Sequence, residues 1–175
     1  MHPRAPRGSR LLALPLLLLL AQAALARDPL QLGWLERVRL QPWDIVVKAK
    51  LDTGAKTAAI HATDLEYFDK EGKPWVRFKL SLDHRDKKAE TLQVERPLER
   101  KVKIKLRGTD KSSTSPTVKL EFCLGENRYQ ALFTLTDRGR FNYPVLLGRR
   151  FLSELAVIDP ASKYNSTPTC PKAPQ

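Results

Sequence analysis

The sequence predicts an all-β domain, a closed barrel or a sandwich of short strands. Apolar and polar residues alternate over many short runs. Clusters of Gly, Pro, Asp and Asn separate those runs, and helical spacing is confined to one stretch near residue 150.

The first alternation is Trp34 to Leu40, ending near Pro42. Ile45 to Leu51 is a second strand, and it runs into Asp52-Thr53-Gly54. Thr57 to Leu65 favours a short strand, and Glu71-Gly72-Lys73-Pro74 is a turn. Trp75 to Leu82 then places Val76, Phe78, Leu80 and Leu82 on one face and Trp75, Arg77, Lys79 and Ser81 on the other. Asp83 to Ala89 reads as a charged loop. Leu92 to Leu98 and Lys101 to Leu106 are further strands, followed by a polar, flexible tip at Gly108 to Pro116. Thr117 to Leu124 and Tyr129 to Leu135 flank the turn Gly125-Glu126-Asn127-Arg128. Pro144 to Leu147 is a short apolar run ending at Gly148, and Arg149 to Leu155 supplies one or two helical turns.

Upstream, Arg4, Arg7 and Arg10 precede a leucine-rich run, Leu11 to Leu20, and a small-x-small site at Ala24-Leu25-Ala26. This is the pattern of a cleaved secretory signal peptide. Read instead as an uncleaved anchor, the run from Leu11 to Ala26 is shorter than the roughly 20 residues of a membrane span, and it contains Pro15 and Gln22. The expected organisation is a leader at 1–26, one β domain at 27–164 and a flexible tail at 165–175. The protein is expected to be exported, in the periplasm, with no stable membrane insertion after cleavage.

The net charge is +12. No basic stripe interleaved with aromatic residues accompanies it, so nucleic-acid binding is not expected, whereas an acidic substrate would suit the surface. Cys123 and Cys170 either pair, tying the tail to the body, or stay as free thiols. Of the three histidines only His61 and His84 lie beyond the leader, and no zinc-ligand spacing or phosphate-binding Gly-rich loop is present. No metal and no cofactor is expected.

Asp52-Thr53-Gly54 presents a carboxylate at a strand end, with a glycine that lets the chain reverse sharply. Brought within hydrogen-bonding reach of another carboxylate, Asp52 would share a proton with it, because two like charges that close cannot both ionise. A later segment, Tyr143-Pro144-Val145-Leu146-Leu147-Gly148-Arg149-Arg150-Phe151-Leu152, sets two apolar residues before Gly-Arg and a helix. Together the two segments resemble the signature of retropepsin-type aspartic proteases. Gly33 to Val38, Lys48 to Thr57, Ile60-His61-Ala62, Thr136-Asp137-Arg138 and Val157-Ile158-Asp159-Pro160 narrow the resemblance to the bacterial retropepsin-like family often labelled "ATP-dependent zinc protease".

The resemblance implies a closed β-barrel with a flap hairpin, at the Gly108 to Pro116 tip, and a short C-terminal helix. It also implies an aspartic endopeptidase with Asp52, Thr53 and Gly54 at the catalytic turn. Asp52 would activate a water, Thr53 would hold the turn, and Gly54-Ala55 would bind the substrate chain. Viral retropepsins commonly carry an acid where this chain has Lys56. Here Lys56 becomes a candidate anion contact, and Arg149 either binds substrate or locks the segment behind the turn. With one Asp-Thr-Gly per chain, the second carboxylate comes from Asp52 of another copy in a homodimer, or from Asp137 or Asp159 of the same chain. The expected partner is a peptide or isopeptide substrate. The competing expectation is a non-catalytic peptide- or cell-wall-binding module on the same fold.

Overall fold

The computed structural model describes residues 28–81, 90–105 and 112–170. The expected leader, the charged loop at 83–89, the tip residues 108–111 and the last five residues of the tail lie outside these. In chain order the strands are β1 (Leu30–Gln41), β2 (Ile45–Asp52), β3 (Ala58–His61), β4 (Thr63–Lys70), β5 (Lys73–Ser81), β6 (Thr91–Pro97), β7 (Arg100–Lys105), β8 (Ser112–Leu124), β9 (Asn127–Thr136) and β10 (Val145–Gly148). A short helix, α1 (Arg149–Leu152), and a further strand, β11 (Ala156–Lys163), follow among the described residues. Among the described residues no helix is long and apolar enough to cross a membrane.

The main sheet runs β11-β1-β2-β10-β3-β9-β8-β7, and β1 also pairs with β8. That extra pairing closes β1, β2, β10, β3, β9 and β8 into a six-stranded barrel, with β11 and β7 left as flanking strands. Closure removes two edges that would otherwise expose unpaired backbone groups. The core fills it with alternate residues: Val38 and Leu40 from β1, Ala49 and Leu51 from β2, and Val118, Leu120 and Phe122 from β8. A second sheet, β4-β5-β6, packs Val76, Phe78, Leu80 and Val94 into the same core. From Trp75 to Ser81 the alternation read in the sequence is the one observed, and Leu82 lies outside the described residues. On its outer face Arg77 bridges Glu66 at 2.8 Å and Glu95 at 2.7 Å across all three strands.

Several elements differ from expectation: β4 runs on to Lys70 and β11 was not predicted as a strand. Ser112–Pro116, expected in the tip, belongs to β8 and pairs with β7 from Ser112↔Lys105 to Pro116↔Lys101. The expected tail is also fastened as far as residue 170. Glu36, fully buried, accepts hydrogen bonds from the backbone N–H of Gly33 (2.8 Å), Asn165 (3.0 Å) and Ser166 (3.1 Å) and from the Ser166 hydroxyl (3.0 Å). Cys123 and Cys170 form a disulfide. These contacts follow the return of β11 alongside β1, where Gly33 is required: a Cβ there would stand 2.5 Å from the Ser162 carbonyl oxygen.

The feature that builds the site is β10. It inserts between β2, to which it is parallel (Val145↔Ala49 to Gly148↔Asp52), and β3, to which it is antiparallel. At its end Gly148 passes against Thr57, where a Cβ would lie 2.6 Å from the Thr57 carbonyl oxygen and 2.8 Å from its nitrogen. The Gly148→Ala variant is therefore expected to lose roughly 3 kcal/mol of stability, the range for forcing an extra methyl into a packed site. Urea unfolding followed by circular dichroism measures it, and an unchanged midpoint would show that the crossing is looser than described.

Candidate active site

Strand periodicity sets up the site. Ala49 and Leu51 face the core, so Lys50 and Asp52 project from the other face of β2. Asp52 ends the strand and caps the turn that follows: its Oδ1 accepts from the Gly54 N–H at 3.0 Å and the Ala55 N–H at 3.2 Å. Gly54 does not use a left-handed backbone, contrary to the reading of a sharp reversal. Its use is proximity, since a Cβ there would come 3.3 Å from Asp52 Oδ1. The Thr53 side chain is exposed and makes no hydrogen bond among the described residues, so within one chain the turn is held by Asp52 itself and from behind by α1.

That support comes from orphan amides. The first N–H groups of a helix have no partner inside it; here Arg149 N–H donates to Ala55 O at 2.8 Å and Arg150 N–H to Lys56 O at 3.2 Å. The Arg149 guanidinium adds a bond to Gly54 O at 3.2 Å. Of the two roles read for Arg149, this geometry is the locking one. Phe151 anchors α1 in turn, with ring centroids 5.2 Å from Phe122 and 5.4 Å from Tyr129.

Asp52 Oδ2 meets the Lys50 ammonium at 3.0 Å. Burial alone would raise the Asp52 pKa, but the Lys50 hydrogen bond and charge, with the Ala55 and Gly54 amides, outweigh it and hold the carboxyl below its ordinary value. The group is thus ionised at neutral pH and is neutralised only as pH falls below the usual carboxylate range. In Lys50→Met, burial is left opposed only by the two amides, so the Asp52 titration is expected to move upward. Carboxyl chemical shifts followed against pH measure this; a midpoint that stays put would show that Lys50 does not set the charge state.

Asp52 opens onto a cleft of about 670 Å3 whose walls include Trp34, Lys50, Ala55, Arg138, Tyr143 and Leu146. Sequence reasoning passed over most of these. Lys50 was signalled by its position two residues before Asp52 on one strand face. Arg138 stood in the Thr136-Asp137-Arg138 block of the resemblance, but no role was read for it, since it comes from the irregular segment after β9. It is only 7 % exposed; its Nε donates to Tyr143 O at 3.2 Å, and its guanidinium stacks 4.6 Å from the Phe141 ring. Burial lowers its pKa while the Asp52 charge opposes that shift, and both groups line the same cleft. Buried His61 supports this wall: its Nδ1 accepts from the Arg138 N–H at 2.8 Å, which puts the imidazole proton of the neutral ring on Nε2.

Neither Asp137 nor Asp159 lines the cleft with Asp52. Each caps its own local turn, Asp137 on Gly139 N–H and Asp159 on Ala161 N–H, both at 2.8 Å. Among the described residues, no group of His, Cys, Asp and Glu side chains is gathered to hold a metal ion. Ala55 lines the cleft, while Lys56 is exposed on another flank of the turn.

A closed barrel whose Asp-Thr-Gly turn is backed by an inserted apolar strand ending in Gly-Arg and a helix defines a retropepsin-like aspartic peptidase fold. The chain belongs to the RimB-like family of retropepsin-like aspartic endopeptidases, whose sequence profile matches residues 31–169. It is similar to a probable alpha-L-glutamate ligase of Shewanella pealeana, 33 % identical over 122 residues, and to one of Desulfotalea psychrophila, 30 % identical over 115 residues. These matches take in 67 % and 66 % of this chain but only 25 % and 24 % of the relatives, so the chain spans about a quarter of their length. Among solved structures it resembles a Legionella pneumophila protein of unknown function (Lpg0085, DUF785), with a TM-score of 0.67 and 31 % identity over 80 % of this chain and 100 % of that one.

Proposed function

We propose that the protein is an aspartic endopeptidase that hydrolyses peptide or isopeptide bonds, with Asp52 activating the attacking water. The observation that carries this is the Asp52 carboxylate: one oxygen is fixed by two backbone amides, the other pairs with Lys50, the residue lines an open cleft, and the group is kept ionised, as a general base requires. The base takes a proton from water, and a protonated second carboxylate donates to the scissile carbonyl oxygen. That second acid is Asp52 of another copy in a two-fold dimer. Bringing the pair together raises one of the two pKa values, which separates base from acid. Arg138, held toward the same cleft, favours substrates with negative charge near the cleaved bond. The names of the longer relatives, glutamate ligases, support glutamyl amides as that substrate class. Export is part of the proposal, supported by the leader pattern in residues 1–26 and by a disulfide, which suits an oxidising compartment.

A second reading, a peptide-binding module without catalysis, draws support from Lys50, whose ammonium already pairs with Asp52 Oδ2 at 3.0 Å. Asp52→Asn separates the two. For the peptidase, cleavage of a peptide and isopeptide library falls by roughly a thousandfold, the scale of a lost general base, while circular dichroism and melting temperature stay unchanged. Equal cleavage by both forms would overturn the role of Asp52, and binding by both with cleavage by neither would establish the module. Sedimentation of the active form is expected to show a dimer; an active monomer would overturn the shared dyad.

A further inference from the structure

Arg138, Phe141, Asn142 and Tyr143 form one wall of the Asp52 cleft. They come from a single stretch between β9 and β10 that belongs to no strand or helix, so no ladder of backbone hydrogen bonds fixes it. Within the stretch, the Phe141 N–H donates to Arg138 O at 2.8 Å, and the Arg138 guanidinium reaches Tyr143 O. Two bonds tie it to β3, and both involve His61. The His61 N–H donates to Pro144 O at 2.8 Å, and the Arg138 N–H donates to His61 Nδ1 at 2.8 Å. The first joins backbone to backbone. The second ends on a ring nitrogen, which can take a proton.

Histidine is the side chain whose ordinary titration lies nearest neutral pH. A neutral ring has one donor and one acceptor, whereas in the charged ring both nitrogens are donors. With a proton on Nδ1, two N–H groups would meet across the present His61–Arg138 contact, and that bond is lost. A charge on so buried a ring also needs a partner. One is at hand: Asp137 Oδ1 lies 3.5 Å from the same Nδ1, on a side chain that is 77 % exposed and able to move onto the ring. Through Nδ1 His61 thus meets two charged residues, Asp137 and Arg138, both from the stretch itself. The small cavity that the ring also touches is lined by Leu40 of β1, Ile45 and Val47 of β2, Leu80 and Ser81 of β5 and Val145 of β10, none of which titrates.

We infer that His61 is a positioning residue for this wall. While the ring is neutral, Nδ1 holds the Arg138 amide and with it the stretch from Arg138 to Tyr143 along the cleft. A proton on Nδ1 moves the ring from the Arg138 amide to the Asp137 carboxylate and releases the wall. The cleft is therefore fully assembled only on the alkaline side of the His61 titration. Trp34 stands where it can report this, because it lines the same cleft and meets the Tyr143 ring edge-on, with centroids 5.8 Å apart. The inference rests on the proposed peptidase activity only for its effect on hydrolysis; the coupling of ring and wall stands without it.

The test follows three signals by nuclear magnetic resonance in the isotope-labelled full chain: the His61 ring nitrogens, the Arg138 amide and the Trp34 indole N–H. The pH is lowered from about 8 to about 5, the range in which histidine ordinarily changes charge. All three signals are expected to move with one midpoint. Solvent exchange of the Arg138 amide is expected to quicken roughly tenfold or more on the acid side, the scale of one lost hydrogen bond. In His61→Asn the side-chain oxygen takes the place of Nδ1, accepts from the Arg138 N–H and does not titrate. That variant is expected to keep the slow exchange and lose the shared transition. A ring that stays neutral until the chain unfolds, an Arg138 amide or Trp34 indole indifferent to the His61 titration, or the same transition in His61→Asn would each overturn the inference. If the chain cleaves a peptide and isopeptide library, its rate is expected to fall on the acid side with that midpoint, and His61→Asn to move the fall down to the titration of Asp52. Coupled transitions with no cleavage at any pH would keep the inference and remove the peptidase. Cleavage without coupled transitions would remove the inference and keep the peptidase.

Discussion

Gly148 lies against the Thr57 backbone with no room for a side chain between them, and the geometry of the site follows from that contact. Because β10 can come that close, it fits between β2 and β3 and pairs with both. Because it ends there, α1 starts directly behind the Asp52 turn and gives its first amides to Ala55 and Lys56. The turn is thus gripped from two sides, by Asp52 in front and by a helix end behind. A carboxylate placed on an exposed loop would lose orientation to thermal motion; this one is fixed by backbone groups whose own positions the barrel determines.

Charge around the turn is arranged in two tiers. Lys50 pairs with Asp52 and helps hold it ionised, and Arg138 lines the same cleft. Lys56, Arg100, Lys103 and Arg150 stand farther along and touch nothing acidic. The near cations differ in kind. Lys50 is a flexible point charge in direct contact, whereas Arg138 is a planar group locked by a carbonyl and an aromatic ring, suited to two parallel hydrogen bonds with a carboxylate.

Much of the barrel was legible because one face of each strand is buried and the period of two survives in the residues, as in Val76, Phe78 and Leu80. β4 was hard to read because it lies largely exposed and needs no alternation. β11 was hidden by Pro160, which a flanking strand tolerates because its outer N–H groups have no ladder to join. Asp52 and the Gly148-Arg149 segment were visible as motifs, and their contact was visible only through the resemblance that paired them. Lys56 was read as a candidate anion contact and Arg138 stood in the Thr136-Asp137-Arg138 block, but the neighbours that each joins, Arg100, Lys103 and Arg150 for Lys56 and the cleft wall for Arg138, were not legible. They come from segments far apart in the chain, and their grouping exists only once β7, α1 and the turn are assembled, so the sequence showed no more than the net charge of +12.

The disulfide between Cys123 and Cys170 closes a covalent ring of chain that contains β9, β10, α1 and β11. The strand that slots in behind the Asp52 turn is therefore part of a loop tied at both ends to the barrel. A protease that cuts the exposed stretch between β9 and β10 would produce two fragments, yet the second would remain bonded to β8 through Cys170. For a protein working among other proteases, this means that a single nick converts it to a two-chain form and does not release the strand that holds its active turn in place.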